Sequence, residues 1–305
     1  MKAETRCVKN NLGLVCITSS DAVRYKTVTR KRLLSFDEVT QAEMLRAIYR
    51  ENIVRLNNAI EFCAANNINL YRLTSGLLPF SDDPFGAGIA DEFAEELSVT
   101  GSKAMANNLR IVMHPDQYVV LSSDSDLVVE NSFKILRMHA RTLDLLNQPP
   151  SEWATMNIHG GKGDRLEKLV ASIEKLPENI RLRIAFENDE HAYSAAQILE
   201  VCRRASVPMV FDAHHHVCRE KLDDYNHESV AEVFWAARET WKNPAHQLVH
   251  ISNGRDHFQD RAHHDLIFDM PEVFRFAPWI EVEAKHKETA IEKLRNEWSA
   301  AILSR

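Results

Sequence analysis

Short apolar runs rich in Val, Ile, Leu and Phe recur along the chain and alternate with longer stretches of helical periodicity. Runs of this kind read as strands buried on both faces, joined by crossover helices. The predicted strands cover residues 12–17, 68–73, 109–114, 154–159, 182–187, 207–212, 247–251 and 279–283. The first long helix opens at Ser35-Phe36-Asp37-Glu38, which has the spacing of a capping box. It carries Met44, Leu45, Ile48, Ile53, Leu56, Ile60 and Phe62 on one or two apolar faces. Further helices are predicted over residues 91–106, 126–147, 164–175, 194–204, 229–241 and 287–303, with a short helical piece near 271–276. No linker, low-complexity run or short repeat divides the 305 residues. Eight strand–helix units predict one domain over residues 1–305, a (β/α)8 barrel, a fold that takes about 250 residues.

The ends of these strands carry the chemistry. Six of them close on a metal-type ligand: Ile-Val-Met-His114, Met-Asn-Ile-His159, Ile-Ala-Phe-Glu187, Met-Val-Phe-Asp212, Leu-Val-His250 and Ile-Glu-Val-Glu283. A lone histidine or glutamate at a strand end is commonly a hydrogen-bonded structural residue. Six at successive strand ends converge if the strands are parallel, because a parallel barrel builds its site where its strands end. The loop segments Asp212-Ala-His-His215-His216 and Arg261-Ala-His263-His264-Asp265 add further candidates.

Imidazole and carboxylate donors without thiolate suit zinc, manganese or iron. The donors exceed the needs of one ion, so two or three are expected, with Glu187 placed to bridge two of them. Adjacent ions suit phosphoester displacement, since they stabilise attacking and leaving oxygens and lower the pKa of a bound water. The chain contains no nucleophile elbow and no P-loop.

Composition adjusts this picture only slightly. At 45% hydrophobic and 27% charged residues the chain has the make-up of an ordinary water-soluble domain. It has no apolar run long enough to span a membrane, and the first residues lack the apolar core of a secretory signal. Five cysteines without a C-x-x-C spacing fit a reducing, cytoplasmic setting. The formal charge of −7 argues against a polyanionic partner. Bound cations would offset much of that charge, and basic residues cluster at Arg24, Lys26, Arg30, Lys31 and Arg32 and at Lys162, Arg165 and Lys168.

An ordered series of motifs resembles the UV-damage endonuclease family, distantly similar to type IV apurinic endonucleases. The series includes Thr27-Val-Thr-Arg-Lys-Arg32, Asn57-Asn58, Tyr71-Arg72-Leu73-Thr74-Ser75, His114-Pro-Asp-Gln117-Tyr118 and Asn157-Ile-His159-Gly-Gly-Lys162. It continues with Phe186-Glu187-Asn188-Asp189, Asp212-Ala-His-His215-His216, His250-Ile-Ser252, His263 and Glu283-Ala-Lys285-His-Lys287-Glu288. The resemblance covers roughly residues 12–294.

It implies a repair nuclease that cuts the backbone of UV-damaged double-stranded DNA 5′ to a pyrimidine dimer, leaving a 3′-hydroxyl. No membrane and no obligate protein partner are implied. The cofactors would be three divalent ions, with manganese expected and zinc or cobalt as substitutes. His114 and Glu187 would hold one ion, Glu187, Asp212, His250 and Glu283 the second, and His159, His215 and His263 the third. Glu187 and Lys285 would be catalytic, and Lys162 would meet phosphate. Gln117 and Tyr118 would enter the duplex beside the lesion.

Three positions depart from the family pattern. Leu14 stands where a lesion-probing tyrosine is expected, and Asp82 where a histidine ligand is expected, so that Asp82 becomes the candidate ligand. Leu248 replaces a lysine that some members carry in carboxylated form. The alternatives to a UV-damage nuclease are an apurinic-site endonuclease on the same scaffold, a metal-dependent sugar isomerase or epimerase, and a damage-binding protein without cleavage.

Overall fold

Eight parallel strands hydrogen-bond in sequence order and close on themselves, β8 beside β1. They are β1 (Asn11–Val15), β2 (Leu70–Leu73), β3 (Arg110–Met113), β4 (Met156–His159), β5 (Ile184–Glu187), β6 (Met209–Asp212), β7 (Leu248–Ile251) and β8 (Trp279–Val282). The computed structural model describes residues 10–115 and 118–303, with side chains to residue 298. Eleven helices wrap these strands among the described residues: α1 (Arg30–Leu33), α2 (Glu38–Ala65), α3 (Pro84–Asp91), α4 (Ala94–Ala106), α5 (Asp126–Leu145), α6 (Leu166–Glu174), α7 (Glu178–Arg181), α8 (Ala195–Ala205), α9 (Ala213–Glu220), α10 (Glu228–Arg238) and α11 (Lys287–Leu303). The expected (β/α)8 barrel is the observed fold, and no helix among the described residues is long and apolar enough to cross a membrane.

Side chains alternate in and out along each strand, and the two faces do different work. Outward residues such as Tyr71, Ile111, Phe186, Phe211, Val249 and Ile280 join the helices in the main core. Inward residues Leu70, Val112, Ala185, Val210, Leu248 and Trp279 form a separate apolar layer inside the barrel. Two residues further along the same strands come Arg72, His114, Glu187, Asp212, His250 and Glu281. A period of two thus stacks a polar layer directly on an apolar one, at the ends where the strands finish.

Local chemistry sets the helix boundaries, and here the structure corrects one expectation and adds a helix. The cap of α2 is Asp37, whose carboxylate accepts from the Thr40 backbone N–H at 3.0 Å, while Ser35 donates its hydroxyl to the Arg32 carbonyl. Ser35 therefore belongs to the preceding turn, and Asp37, nearer the first helical residue, takes the orphan donor. The helix expected over residues 91–106 is α4, and α3 precedes it as an additional short helix, started by Pro84 at its first turn and capped by Asp83. Farther on, Ser194 and Gln197 do form the reciprocal capping box of α8.

Candidate metal centre

Strand register brings the donors together. His159 lies beside Glu187, Asp212 beside His250, and His250 beside Glu281. Glu187 is at the middle, 1% exposed, and its two oxygens face different partners. Oε2 lies 3.3 Å from His114 Nε2 and accepts from the Asn157 side-chain amide. Oε1 lies 3.1 Å from His250 Nδ1 and 3.4 Å from His215 Nδ1. Burial alone would raise the Glu187 carboxyl, but the charges of His250 and His159 hold it well below the ordinary carboxylate range.

Around it the imidazoles form an arc, with His114 and His159 ring centres 5.2 Å apart and His159 and His215 5.8 Å apart. Burial lowers His159, whereas His215, despite burial, is raised to about 9 by Asp212, Glu187 and Glu190. Asp212 accepts from the His215 backbone N–H at 2.7 Å, and so acts as the cap of α9 while presenting a second oxygen to the site. Asn188 ties β5 to β6: its amide nitrogen donates to the Asp212 carbonyl and its amide oxygen accepts from the Asp212 backbone N–H.

The donors fit a divalent cation. Three sets each gather ligand atoms within 4.8 Å of one another: His114, His159 and Glu187; Glu187, Asp212 and His215; and His250, Glu281 and Glu283. His159 Nδ1 and Asp212 Oδ2 are buried and have no hydrogen-bond partner among the described residues. Buried polar atoms without partners are costly in a protein interior, and a cation would satisfy both. Nitrogen and oxygen donors without sulfur suit manganese or zinc. The grouping differs from the one the family resemblance implied, because His159 stands with His114 and Glu187, while His215 stands with Asp212 and Glu187. His263, at the rim, approaches Glu283 at 3.8 Å.

Of these residues, His114, His159, Glu187, His215, His263 and Glu283 line an open cavity of about 620 Å³, together with Arg72, Thr74, Ser75 and Tyr118. Tyr118 is 69% exposed at its edge. Lys162 lines a neighbouring depression that shares His159 and His215 with this cavity, and it pairs with Asp124, which Arg165 and Lys168 also approach. Gln117 lies outside the described residues. Asp82 does not reach the cluster. It is exposed on the turn before α3, beside a separate depression with Lys134, Arg137 and Arg141, because the chain after Pro79 turns outward to start that helix.

Lys285 is exposed and outside the cavity lining, whereas Lys287 is half-buried and its charge is felt by the site. Burial, together with Arg72, depresses the Lys287 ammonium although Glu283 opposes the shift. Leu14 is fully buried among helix-facing core residues, and Leu248 belongs to the apolar layer beneath the site. The pattern of strand-end ligands does not single out Arg72 or Glu281, yet both belong to the site. The alternation Trp279, Glu281, Glu283 along one strand is the signal for Glu281, since alternate positions share a face.

A sequence model of the UV-endonuclease UvdE family matches residues 10–302. The chain is 55% identical to a UV DNA damage endonuclease of Nostoc sp., covering 94% of this chain and 90% of that one. It is 44% identical to the UV DNA damage endonuclease of Deinococcus radiodurans, covering 93% and 94%. The crystal structure of SacUVDE superposes with a TM-score of 0.76 at 27% identity, covering 94% of this chain and 99% of that one. Endonuclease IV from Thermus thermophilus shares the fold, with a TM-score of 0.56 at 14% identity over 81% of this chain and 94% of that one. With matches of this extent, the chain belongs to the UV-endonuclease UvdE family.

Proposed function

We propose that this protein is a metal-dependent repair endonuclease that cuts double-stranded DNA 5′ to a UV photoproduct and leaves a 3′-hydroxyl. This refines the DNA-repair endonuclease activity that family membership carries. The observation behind it is Glu187, a buried carboxylate with histidines on both of its oxygens. His114, His159 and Glu187 would hold one cation, and Glu187, Asp212 and His215 another, with His250, Glu283 and His263 completing the surroundings. Bound divalent cations supply Lewis-acid stabilisation of phosphate oxygens and a water of lowered pKa.

The protein's own residues do the rest. Asn157 and the surrounding imidazoles hold Glu187 in place, so that its oxygens face fixed directions. Tyr118 offers an exposed ring beside the cavity, and a photoproduct already weakens stacking, so extruding it costs less than extruding an intact pair. Lys162, Arg165 and Lys168 share the single carboxylate of Asp124, which leaves a net positive patch for phosphates beside the site.

Duplexes carrying one pyrimidine dimer, one abasic site or no damage distinguish the readings when each is incubated with and without manganese. The account expects a manganese-dependent nick 5′ to the dimer. Faster cutting at the abasic site would move the assignment to an apurinic endonuclease, and nicking undiminished by metal removal would overturn the metal-dependent mechanism.

A further inference from the structure

His250 and Glu281 are register partners on β7 and β8, and the imidazole Nε2 meets a Glu281 oxygen in a short contact. The other ring nitrogen, Nδ1, faces Glu187 at 3.1 Å and Glu283 at 3.3 Å. Glu281 is itself clamped. Arg72, reaching across from β2, donates Nε to its two oxygens at 3.0 and 3.1 Å, while Nη2 contacts both Glu281 and Glu283. The guanidinium also lies 3.2 to 3.4 Å from the ring nitrogens of His250.

His250, Glu281 and Glu283 are spaced so that they could hold an ion by themselves. A cation already stands there. Arg72 is permanently charged, and its planar fork matches a carboxylate. With both glutamates engaged by it, Glu281 is left with one outward connection, to the Nε2 side of His250. A carboxylate that grips the far side of a histidine fixes the ring's orientation and tautomer, and so aims its other nitrogen.

We propose that Glu281, held by Arg72, is a positioning residue that aims His250 Nδ1 at the metal centre, and that Arg72 fills the third candidate site with a resident positive charge. This rests on the reading of the cluster as a metal centre, but its test uses metal binding without DNA. A failed nuclease assignment and a failed positioning role are therefore distinguishable.

Zinc and manganese binding to the purified full-length protein is measured by calorimetry for wild type, Glu281→Gln and Glu281→Leu. Circular dichroism confirms folding, and Glu281→Gln serves as the conservative variant should Glu281→Leu be poorly folded. Glu281→Leu is expected to weaken metal binding about 10- to 100-fold without changing the number of ions bound. Glu281→Gln, which keeps an acceptor for Nε2–H, recovers part of that loss.

In zinc-loaded protein labelled at histidine nitrogen, the exchange-protected Nε2–H signal of His250 should persist in Glu281→Gln and vanish in Glu281→Leu. Unchanged affinity in Glu281→Leu would overturn the proposal. Loss of one ion from the stoichiometry would also overturn it, because Glu281 would then be a ligand and Arg72 a group displaced on binding.

Discussion

Two of the barrel's buried arginines, one near each end, are held in opposite ways. Arg72, near the mouth, faces Glu281 and Glu283, whose charges overcome burial and lift it well above its ordinary pKa. Arg110, near the base, donates no hydrogen bond to a carboxylate among the described residues. It donates instead to the carbonyls of Trp153, His246 and Glu152 and to the Thr155 hydroxyl. The rings of Trp153, Trp241 and Trp279 surround its guanidinium at 5.4, 5.9 and 5.1 Å. Burial without a paired charge pulls it down to about 9. At the base, neutral oxygens and aromatic faces make a fixed plug. At the mouth, full charges face one another in a cavity open to solvent, where an incoming cation or phosphate changes the balance. The same side chain is wrapped by neutral oxygens and rings in one place and by carboxylates in the other.

Substitutions that act on one end alone test this division. The largest effect is expected from Glu187→Gln, which removes the carboxylate shared by both histidine sets. Losing several kcal/mol of transition-state stabilisation lowers single-turnover nicking by on the order of 10³-fold. The thermal midpoint should fall little by comparison. Arg110→Met should do the reverse. Leaving buried carbonyls unpaired costs about 2 to 3 kcal/mol in denaturant unfolding. Nicking per folded molecule stays at the wild-type level. If Arg110→Met instead lowered nicking with stability intact, the division between the two ends would fail.

Smaller effects sharpen the account of the mouth. Tyr118→Ala removes a stacking surface worth roughly 1 to 3 kcal/mol, so preference for dimer over undamaged duplex should drop about 5- to 150-fold in competition binding. His215 gives a pH signature. Its folded pKa of about 9 is above its ordinary value of 6.5, so it stabilises the metal-free protein below 6.5, and that contribution is lost as pH rises through about 9. Metal affinity moves the other way, because a bound ion must displace the proton. Calorimetry in buffers of different ionisation heat should therefore show proton release, with affinity rising as pH increases toward the folded pKa of about 9. Lys162→Ala should weaken binding to all duplexes alike and reduce the salt slope by about 1.

The barrel and much of the centre were legible because period-two burial and strand-end ligands are local patterns. The strand-end residues His114, His159, Glu187, Asp212, His250 and Glu283 lie together, joined by His215 from α9. What escaped depends on partners far apart in sequence. Glu281 acquires its place from His250 across a strand pair, and Arg72 from β8 on the far side of the closure between β1 and β8. Asp82 reads as a ligand by motif position, yet the start of α3 carries it outward. Lys285 and Lys287 are neighbours in one motif, and only the backbone path after β8 decides which approaches Glu283. For Leu14, the strand's alternation already placed it opposite Gly13, facing the helices.

On the proposed function, the buried carboxylate of Glu187 at the mouth organises metal-dependent cleavage beside a photoproduct. The most direct test maps the cut on an end-labelled duplex bearing one pyrimidine dimer, using metal-stripped protein before and after manganese is restored, with Glu187→Gln alongside. The account predicts no product from stripped protein, one nick immediately 5′ to the dimer on reconstitution, and none from the variant. The same nick appearing in Glu187→Gln at the wild-type rate would contradict it.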